Sequence, residues 1–191
     1  MNYCEVERML SSTPEIQFQY DRLGIARALK IGGKARLICI RVSTAYFRSP
    51  DFQREVGNMV NRLDAAPSGV CFEFDEDVLL RDIKQTKICF KALRSLGIKI
   101  LIAGFGYRFF EYSKIPSFEI DVIKISGDLI RNFFKEDAVQ SIMYDIFAYA
   151  KVKKIETIAE GIDAVNQKKL MQKFGCYKMQ GSLKSLQGRG R

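Results

Sequence analysis

Charged side chains occur near the ends of several apolar, strand-like segments of this sequence. Glu73 and Glu160 each interrupt such a segment near its end, and Lys124 stands between two isoleucines. A charge in an apolar strand is costly without a partner, so these side chains either face a site or pair with each other. Converging carboxylates could bind a divalent cation, and a lysine beside them could hold a phosphate or orient a water. An ion pair between Lys124 and Glu160 would explain both charges without any ligand.

Other candidate groups have simpler interpretations. Asp75 and Asp77 follow the second strand-like segment and are expected to be solvated loop acids, and Asp163 is expected to cap a helix. The Gly-Phe-Gly segment at 104–106 is too short for a dinucleotide-binding fingerprint, and the sequence has no P-loop. The chain contains no histidine, which excludes Ser–His and Cys–His nucleophile pairs and any histidine-ligated metal.

The elements that must position these residues alternate between apolar and amphipathic segments. Strands are predicted over 35–42, 69–74, 98–103, 120–125, 154–159 and 177–183. Helices are predicted over 13–30, 49–63, 82–96, 137–152 and 163–174, the second with Ser49 as its cap and Pro50 at its first position. Repeated strand–helix units predict parallel strands joined by crossover helices. A barrel has about eight strands, so the pattern alone leaves open a (β/α) barrel or an open doubly wound sheet.

Composition favours one globular domain and limits its partners. The chain has 191 residues, 47% of them hydrophobic, and no apolar run reaches the ~18 residues of a membrane span. The first ten residues do not resemble a secretory signal, so a cytoplasmic location and no membrane partner are expected. Five scattered cysteines without a C-x-x-C pair argue against a disulfide framework or a zinc site. The net charge of +9 is spread along the chain, and without a recognised nucleic-acid motif it predicts a basic surface rather than a nucleic-acid partner.

Six short motifs in register resemble those of the EAL-domain family, the cyclic di-GMP phosphodiesterases. The segment 156–181 is the most telling, because Ala-Glu-Gly, Gln, Phe-Gly-Cys and Gln-Gly fall at the spacing of the family's A-E-G-V-E-T, E-Q, L-G-C and Q-G-Y. The other matches are 121–125 with D-x-x-K-I-D, 73–76 with E-[IL]-T-E, 96–106 with the stretch leading into D-D-F-G-T-G, and 41–43 with N-[VL]-S. The resemblance covers roughly 35–183. It implies an α/β fold of the TIM-like (β/α) barrel type in a single domain, incomplete with about six strands.

The family's first strands have no counterpart ahead of residue 35, and this includes the strand that carries the E-A-L signature. Residues 1–34 are therefore interpreted as an N-terminal helical segment, and 35–191 as a degenerate EAL-like domain. The family's asparagine ligand is replaced by Arg41, and the two aspartates of D-D-F-G-T-G by Ala103 and Gly104. An arginine at this position would repel the cations that family enzymes use.

The resemblance leaves only remnants of the family's catalytic machinery. Lys124, Glu160 and Gln180 correspond to catalytic-site residues, and Glu73 and Glu160 to metal ligands expected to hold no metal. Two carboxylates are too few for the two-metal chemistry of the family enzymes. No cofactor is therefore expected, and Mg²⁺ or Mn²⁺ would enter only with residual activity.

Four functions follow as hypotheses. The first is an inactive regulatory domain in bacterial signalling that binds another protein or a second copy at the open barrel edge, with the aromatic segment 107–115 as a further candidate surface. The second is a metal-independent cyclic di-GMP receptor in which Arg41, Arg108 and Lys124 contact the phosphates. The third is a residual phosphodiesterase that uses Glu73 and Glu160 with one Mg²⁺. The fourth, a nucleic-acid-binding protein, rests on net charge alone.

Overall fold

Strands and helices alternate along the chain, as the sequence predicts. The computed structural model describes residues 13–32, 37–63, 67–106 and 118–183. The strands are β1 (Ile38–Arg41), β2 (Val70–Asp75), β3 (Lys99–Phe105), β4 (Val122–Ile125), β5 (Glu156–Ala159) and β6 (Lys178–Met179). The helices are α1 (Pro14–Ile31), α2 (Thr44–Phe47), α3 (Phe52–Arg62), α4 (Ile83–Ser95), α5 (Gly127–Asn132), α6 (Asp137–Lys153) and α7 (Val165–Lys173). Two short 3₁₀ turns, Pro67–Gly69 and Glu76–Leu79, flank β2.

The six strands follow chain order in one sheet, from β1 to β6. The pairs β1–β2, β3–β4, β4–β5 and β5–β6 are parallel. Such a sheet needs a crossover connection between successive strands, and most of these connections contain a helix. The predicted α/β class with six parallel strands is therefore confirmed.

The chain divides into two compact units, and the first comprises residues 1–74 and 82–100. In this unit α1 packs against β1 so closely that a Cβ on Gly24 would lie 3.0 Å from Cδ1 of Ile40. Aromatic rings fill the interior, where Phe74 packs against Phe47 at 4.8 Å and against Phe90 at 5.5 Å between ring centroids. Burial of such large rings removes apolar surface from water and thereby stabilises the unit.

The second unit comprises residues 75–81 and 101–191. All four positions of β4 are buried, which is typical of a central parallel strand. Helix α6 contributes Met143 and Ile146, both fully buried, to the core of this unit. Lys124 therefore stands on a strand that is otherwise entirely apolar, so its ammonium group needs a partner.

The predicted start of the helix over 49–63 is wrong. Helix α3 begins only at Phe52, because Ser49 opens a turn in which its carbonyl accepts a hydrogen bond from the Phe52 N–H at 3.2 Å. The short helix α2 comes before this turn, and the sequence did not predict it. Ser43 caps α2, since its Oγ accepts a hydrogen bond from the Tyr46 N–H at 3.1 Å.

The predicted cap of α7 is also wrong. The helix begins at Val165 with Ala164 at the N-cap position, so Asp163 lies one residue too early. The Oε1 atom of Gln167 satisfies the helix start by accepting from the N–H groups of Asp163 and Ala164, at 2.8 and 3.0 Å. The Asp163 carboxylate instead accepts from the N–H and hydroxyl of Ser182, at 3.0 and 2.7 Å, because the chain after β6 returns to this point.

Candidate functional site

Lys124 and Glu160 form the centre of the candidate site in the second unit. Lys124 lies on β4 opposite Ile158 of β5, and Glu160 follows directly after β5. The Glu160 N–H donates to the Ile125 carbonyl at 3.2 Å, which fixes the backbone of this residue beside the end of β4. The Lys124 Nζ atom lies 3.6 Å from Glu160 Oε1, with the lysine side chain 8% exposed and the glutamate 31%. The ion pair, one of the two explanations that the sequence left open for these charges, is therefore present.

The pair limits what Glu160 can do chemically. A carboxylate beside a buried ammonium is neutralised locally, and attraction between unit charges strengthens as water is excluded. A divalent cation at this carboxylate would face the lysine charge at short range. Both residues correspond to catalytic-site residues of the family, so this pair is compatible with an intact as well as with a degenerate site.

Gln180 and Gly181 lie near the same strand ends, and they contact their neighbours through backbone atoms. The Gln180 N–H donates to the Ala159 carbonyl at 2.8 Å, and its own carbonyl accepts from the Ile162 N–H at 3.0 Å. The Gln180 side chain is exposed. A Cβ on Gly181 would lie 2.2 Å from the Ile162 carbonyl oxygen, so this close approach requires glycine. The Gln-Gly pair therefore has a structural role in joining the end of β6 to the segment after β5.

Arg41 and Glu73 lie in the first unit, at paired positions on β1 and β2. Residues in register on adjacent parallel strands have side chains on the same face of the sheet. The strands are also joined just beyond this pair, where the Val42 N–H donates to the Glu73 carbonyl at 2.9 Å. The arginine is exposed and the glutamate half-buried. Arg41 thus lies on the same face of the sheet as Glu73, the second carboxylate that the family resemblance assigns to metal binding.

The residues present do not fit the metal centre that the family resemblance implies. Glu73 has Arg41 at the paired strand position, where the family has an asparagine, and β3 carries Ala103 and Gly104 in place of the family's two aspartates. Within residues 13–32, 37–63, 67–106 and 118–183, no three histidine, cysteine, aspartate or glutamate side chains cluster as metal ligands would. Arg108 and the aromatic segment 107–115 lie outside the described residues.

Sequence reasoning missed two polar clusters in the first unit. Asp21 on α1 is 3% exposed and accepts hydrogen bonds from Ser43, yet its burial raises the carboxyl pKa above the ordinary value. Glu55 accepts two hydrogen bonds from the Arg22 guanidinium, at 2.7 and 2.6 Å, and one from the Tyr46 hydroxyl at 2.6 Å. The Arg22 hydrogen bonds are the main cause that lowers the pKa of Glu55. Both clusters tie α1 to the segment after β1, and the partners are too far apart in sequence to form a local motif.

No helix in the described ranges is both long and apolar enough to cross a membrane.

Sequence comparison places these motifs in a family. The EAL-domain family model matches residues 16–186. The cyclic di-GMP phosphodiesterase PdeF of Escherichia coli is 27% identical over 149 residues, which are 78% of this chain and 20% of that protein. The cyclic di-GMP phosphodiesterase PA2567 of Pseudomonas aeruginosa is 26% identical over 146 residues, 76% of this chain and 25% of that protein. The chain thus spans a quarter or less of the length of either relative.

Solved structures support the same fold. A calcium and cyclic di-GMP complex of Klebsiella pneumoniae BlrP1 has a TM-score of 0.76 at 23% identity and covers 92% of this chain and 46% of that one. The PaMucR phosphodiesterase, solved with cyclic di-GMP, has a TM-score of 0.73 at 20% identity and covers 94% of this chain and 72% of that one. These likenesses confirm the TIM-like (β/α) fold class that pattern alone left open. Because the family model matches nearly the whole chain and the fold agrees with it, the chain belongs to the EAL-domain family.

Proposed function

We propose that the chain is a catalytically inactive EAL domain that regulates bacterial signalling by binding another protein. The observation that carries the proposal is the pairing in register of Arg41 on β1 with Glu73 on β2, which places an arginine where the family has an asparagine ligand. By the family resemblance, Glu160 is one of the two carboxylates left from the metal site. Glu73 is the other, and an arginine on the same face of the sheet opposes the binding of a divalent cation there.

The end of β3 supports the loss of activity independently. The family's two aspartates correspond to Ala103 and Gly104, of which the alanine is 7% exposed and the glycine has a φ of +64°. Neither residue can supply a carboxylate. Two-metal catalysis of phosphodiester cleavage requires several anionic ligands to neutralise and space the ions. This strand end therefore lacks the groups that such a reaction needs.

The edge of the sheet supports the protein-binding part of the proposal. Strand β1 stands at the end of the strand order, and no strand in the described ranges lies beyond it. The backbone N–H and C=O groups on the outer side of an edge strand can pair with another chain. A partner protein or a second copy of this chain could add a strand there.

A metal-independent cyclic di-GMP receptor is the second candidate. Arg41 favours it, because this exposed guanidinium at the end of β1 could contact a phosphate in two places. The fold also matches two proteins that were solved with cyclic di-GMP.

Turnover of cyclic di-GMP tests the inactive assignment. The purified chain is incubated with the nucleotide in Mg²⁺ and then in Mn²⁺, and linear pGpG is measured by chromatography. We expect no product above the buffer control. Product formation that disappears in Glu160→Gln would instead establish a residual phosphodiesterase.

Calorimetry separates the two remaining candidates. Cyclic di-GMP is titrated into the chain in EDTA and then in Mg²⁺, and the protein-binding function predicts no heat in either buffer. Micromolar binding in EDTA that is lost in Arg41→Ala, but kept in Arg62→Ala, would favour the receptor. Arg62 is a matched control, because it is an exposed arginine of the same unit at the end of α3.

A further inference from the structure

The second unit contains a groove of about 1080 Å³ between α6 and α7, floored by Ile155 and Thr157. None of Lys124, Glu160 and Gln180 lines it, so it is separate from the candidate site. Sites for small ligands usually measure about 300–1,000 Å³ and enclose most of the ligand. This groove slightly exceeds that range and lies along two helices, a shape that suits one face of a helix.

Aromatic side chains form the apolar wall of the groove. Phe174 is at the centre and packs against Phe147 at 4.5 Å, Tyr144 at 5.2 Å and Phe133 at 5.8 Å between ring centroids. Phe134 extends this cluster by an edge contact with Phe133 at 5.1 Å. Phe134 is 64% exposed and Tyr144 58%. Aromatic rings left in water beside a concave apolar surface are typical of a protein interface.

Three lysines give the groove a positive charge. Lys151 comes from α6, and Lys169 and Lys173 come from α7. No aspartate or glutamate lines the groove. The described part of the chain also provides none of the three lysines with an ion-pair partner. Their charges are therefore available to an anionic ligand that occupies the groove.

We propose that this groove binds an acidic amphipathic helix of a partner protein. Apolar side chains at i, i+3, i+4 and i+7 would pack on the exposed rings, as in other helix-in-groove complexes. Aspartate or glutamate residues beside that stripe would face Lys151, Lys169 and Lys173, which fixes orientation and speeds association. The proposal rests on the proposed function and extends it by naming the surface and the chemistry of the partner.

Charge argues against the C-terminal segment and against a second copy of the chain as the occupant. The C-terminal segment 184–191 carries Lys184, Arg189 and Arg191 and no acidic residue. A second copy carries a net charge of +9. Both would bring positive charge to a groove that is already positive, so they lack the complementarity that an acidic helix has.

Fluorescence anisotropy on the full chain tests the proposal with two labelled synthetic peptides. Both have about 14 residues, or four helical turns, with the same leucine and phenylalanine stripe. The other positions are glutamate in the acidic peptide and lysine in the basic one. We expect saturable binding of the acidic peptide, at least about 10-fold tighter than the basic one, and weaker binding at high salt.

Charge reversal locates the binding on the groove. In Lys169→Glu/Lys173→Glu, affinity should fall at least about 10-fold for the acidic peptide and rise for the basic one, because the charge complementarity is reversed. The control is Lys84→Glu/Lys91→Glu, which makes the same charge change at exposed positions of α4 in the first unit. Phe134→Ala should weaken the binding of both peptides. Circular dichroism checks the fold of each variant.

Failure of the acidic peptide to bind the unmodified chain would overturn the proposal, as would equal affinity for both peptides. Equal loss in the two double variants would show that net charge, and not this groove, attracts the peptide. The turnover assay tests the inactive assignment independently of the peptide experiments. Hydrolysis of cyclic di-GMP would contradict the inactive assignment without changing the peptide result. Lack of peptide binding without turnover would remove the groove proposal and leave the regulatory function with the β1 edge.

Discussion

The buried carboxylate of Glu76 accepts a hydrogen bond from the backbone N–H of Gly106, with 2.8 Å between Oε1 and the nitrogen. Glu76 is 4% exposed and lies in the turn after β2, whereas Gly106 follows β3 directly. Gly106 has a φ of +91°, and a Cβ there would lie 2.5 Å from Cδ1 of Leu129 and 2.7 Å from Cδ1 of Ile146. The glutamate thus satisfies a backbone group that is packed too tightly to reach water.

Removing this acceptor should destabilise the fold. Glu76→Ala leaves the buried Gly106 N–H without its hydrogen bond, which costs about 1–3 kcal/mol in the free energy of unfolding. Glu76→Gln keeps an oxygen at the same place, so the loss in free energy of unfolding should be clearly smaller for this variant. Urea unfolding, monitored by circular dichroism, measures the free energy of unfolding of both variants. Equal losses in the two variants would contradict the role given to the hydrogen bond.

Gly181 should tolerate no side chain. A Cβ there would lie 2.2 Å from the Ile162 carbonyl oxygen and 2.4 Å from the Ile162 nitrogen, and backbone atoms cannot move aside cheaply. We expect Gly181→Ala to lower the free energy of unfolding by roughly 2–4 kcal/mol. Gly57 in α3 is the matched control, because a Cβ added there would meet no atom within 4 Å. Gly57→Ala should stabilise the chain by about 0.5–1 kcal/mol, since it removes backbone freedom from the unfolded state.

The sequence predicted the strands because their signal is local. Apolar runs bounded by glycine or charged residues placed all six, and the charges of Lys124 and Glu160 within such runs made their contact one of two possible explanations. The sixth strand is shorter than predicted, with only Lys178 and Met179 in regular pairing. The reason is tertiary, since the Gln180 carbonyl beyond them accepts from Ile162 N–H instead.

The missed features all depend on residues that are far apart in sequence. Glu76 and Gly106 are 30 residues apart, and Arg22 and Glu55 are 33 apart. No period of a single helix or strand encodes either contact. The groove was missed because only the packing of α6 beside α7 decides which aromatic rings remain exposed. Local patterns therefore determined the elements, whereas the polar clusters and the groove required the assembled fold.

The pKa of the Asp163 carboxyl should lie below its ordinary value. The hydrogen bonds that the Ser182 hydroxyl and N–H donate to it stabilise the charged form. Because the folded-state pKa is lowered, this contact stabilises the fold above the unfolded pKa and is lost as pH falls through the folded pKa. NMR titration of the Asp163 carboxyl carbon measures this pKa in the folded chain. Ser182→Ala should raise the titration midpoint of Asp163, whereas Ser141→Ala at an exposed site of α6 should leave it unchanged.

A double-mutant cycle tests whether Lys124 and Glu160 are bound to each other. Glu160→Gln removes one counter-charge from a buried ammonium group and should cost about 1–3 kcal/mol in the free energy of unfolding. Lys124→Met removes that charge, so adding Glu160→Gln to it should cost much less than Glu160→Gln alone. The difference between the two costs is the coupling energy of the pair, measured by urea unfolding. Additive losses would show that the carboxylate is not held by the lysine.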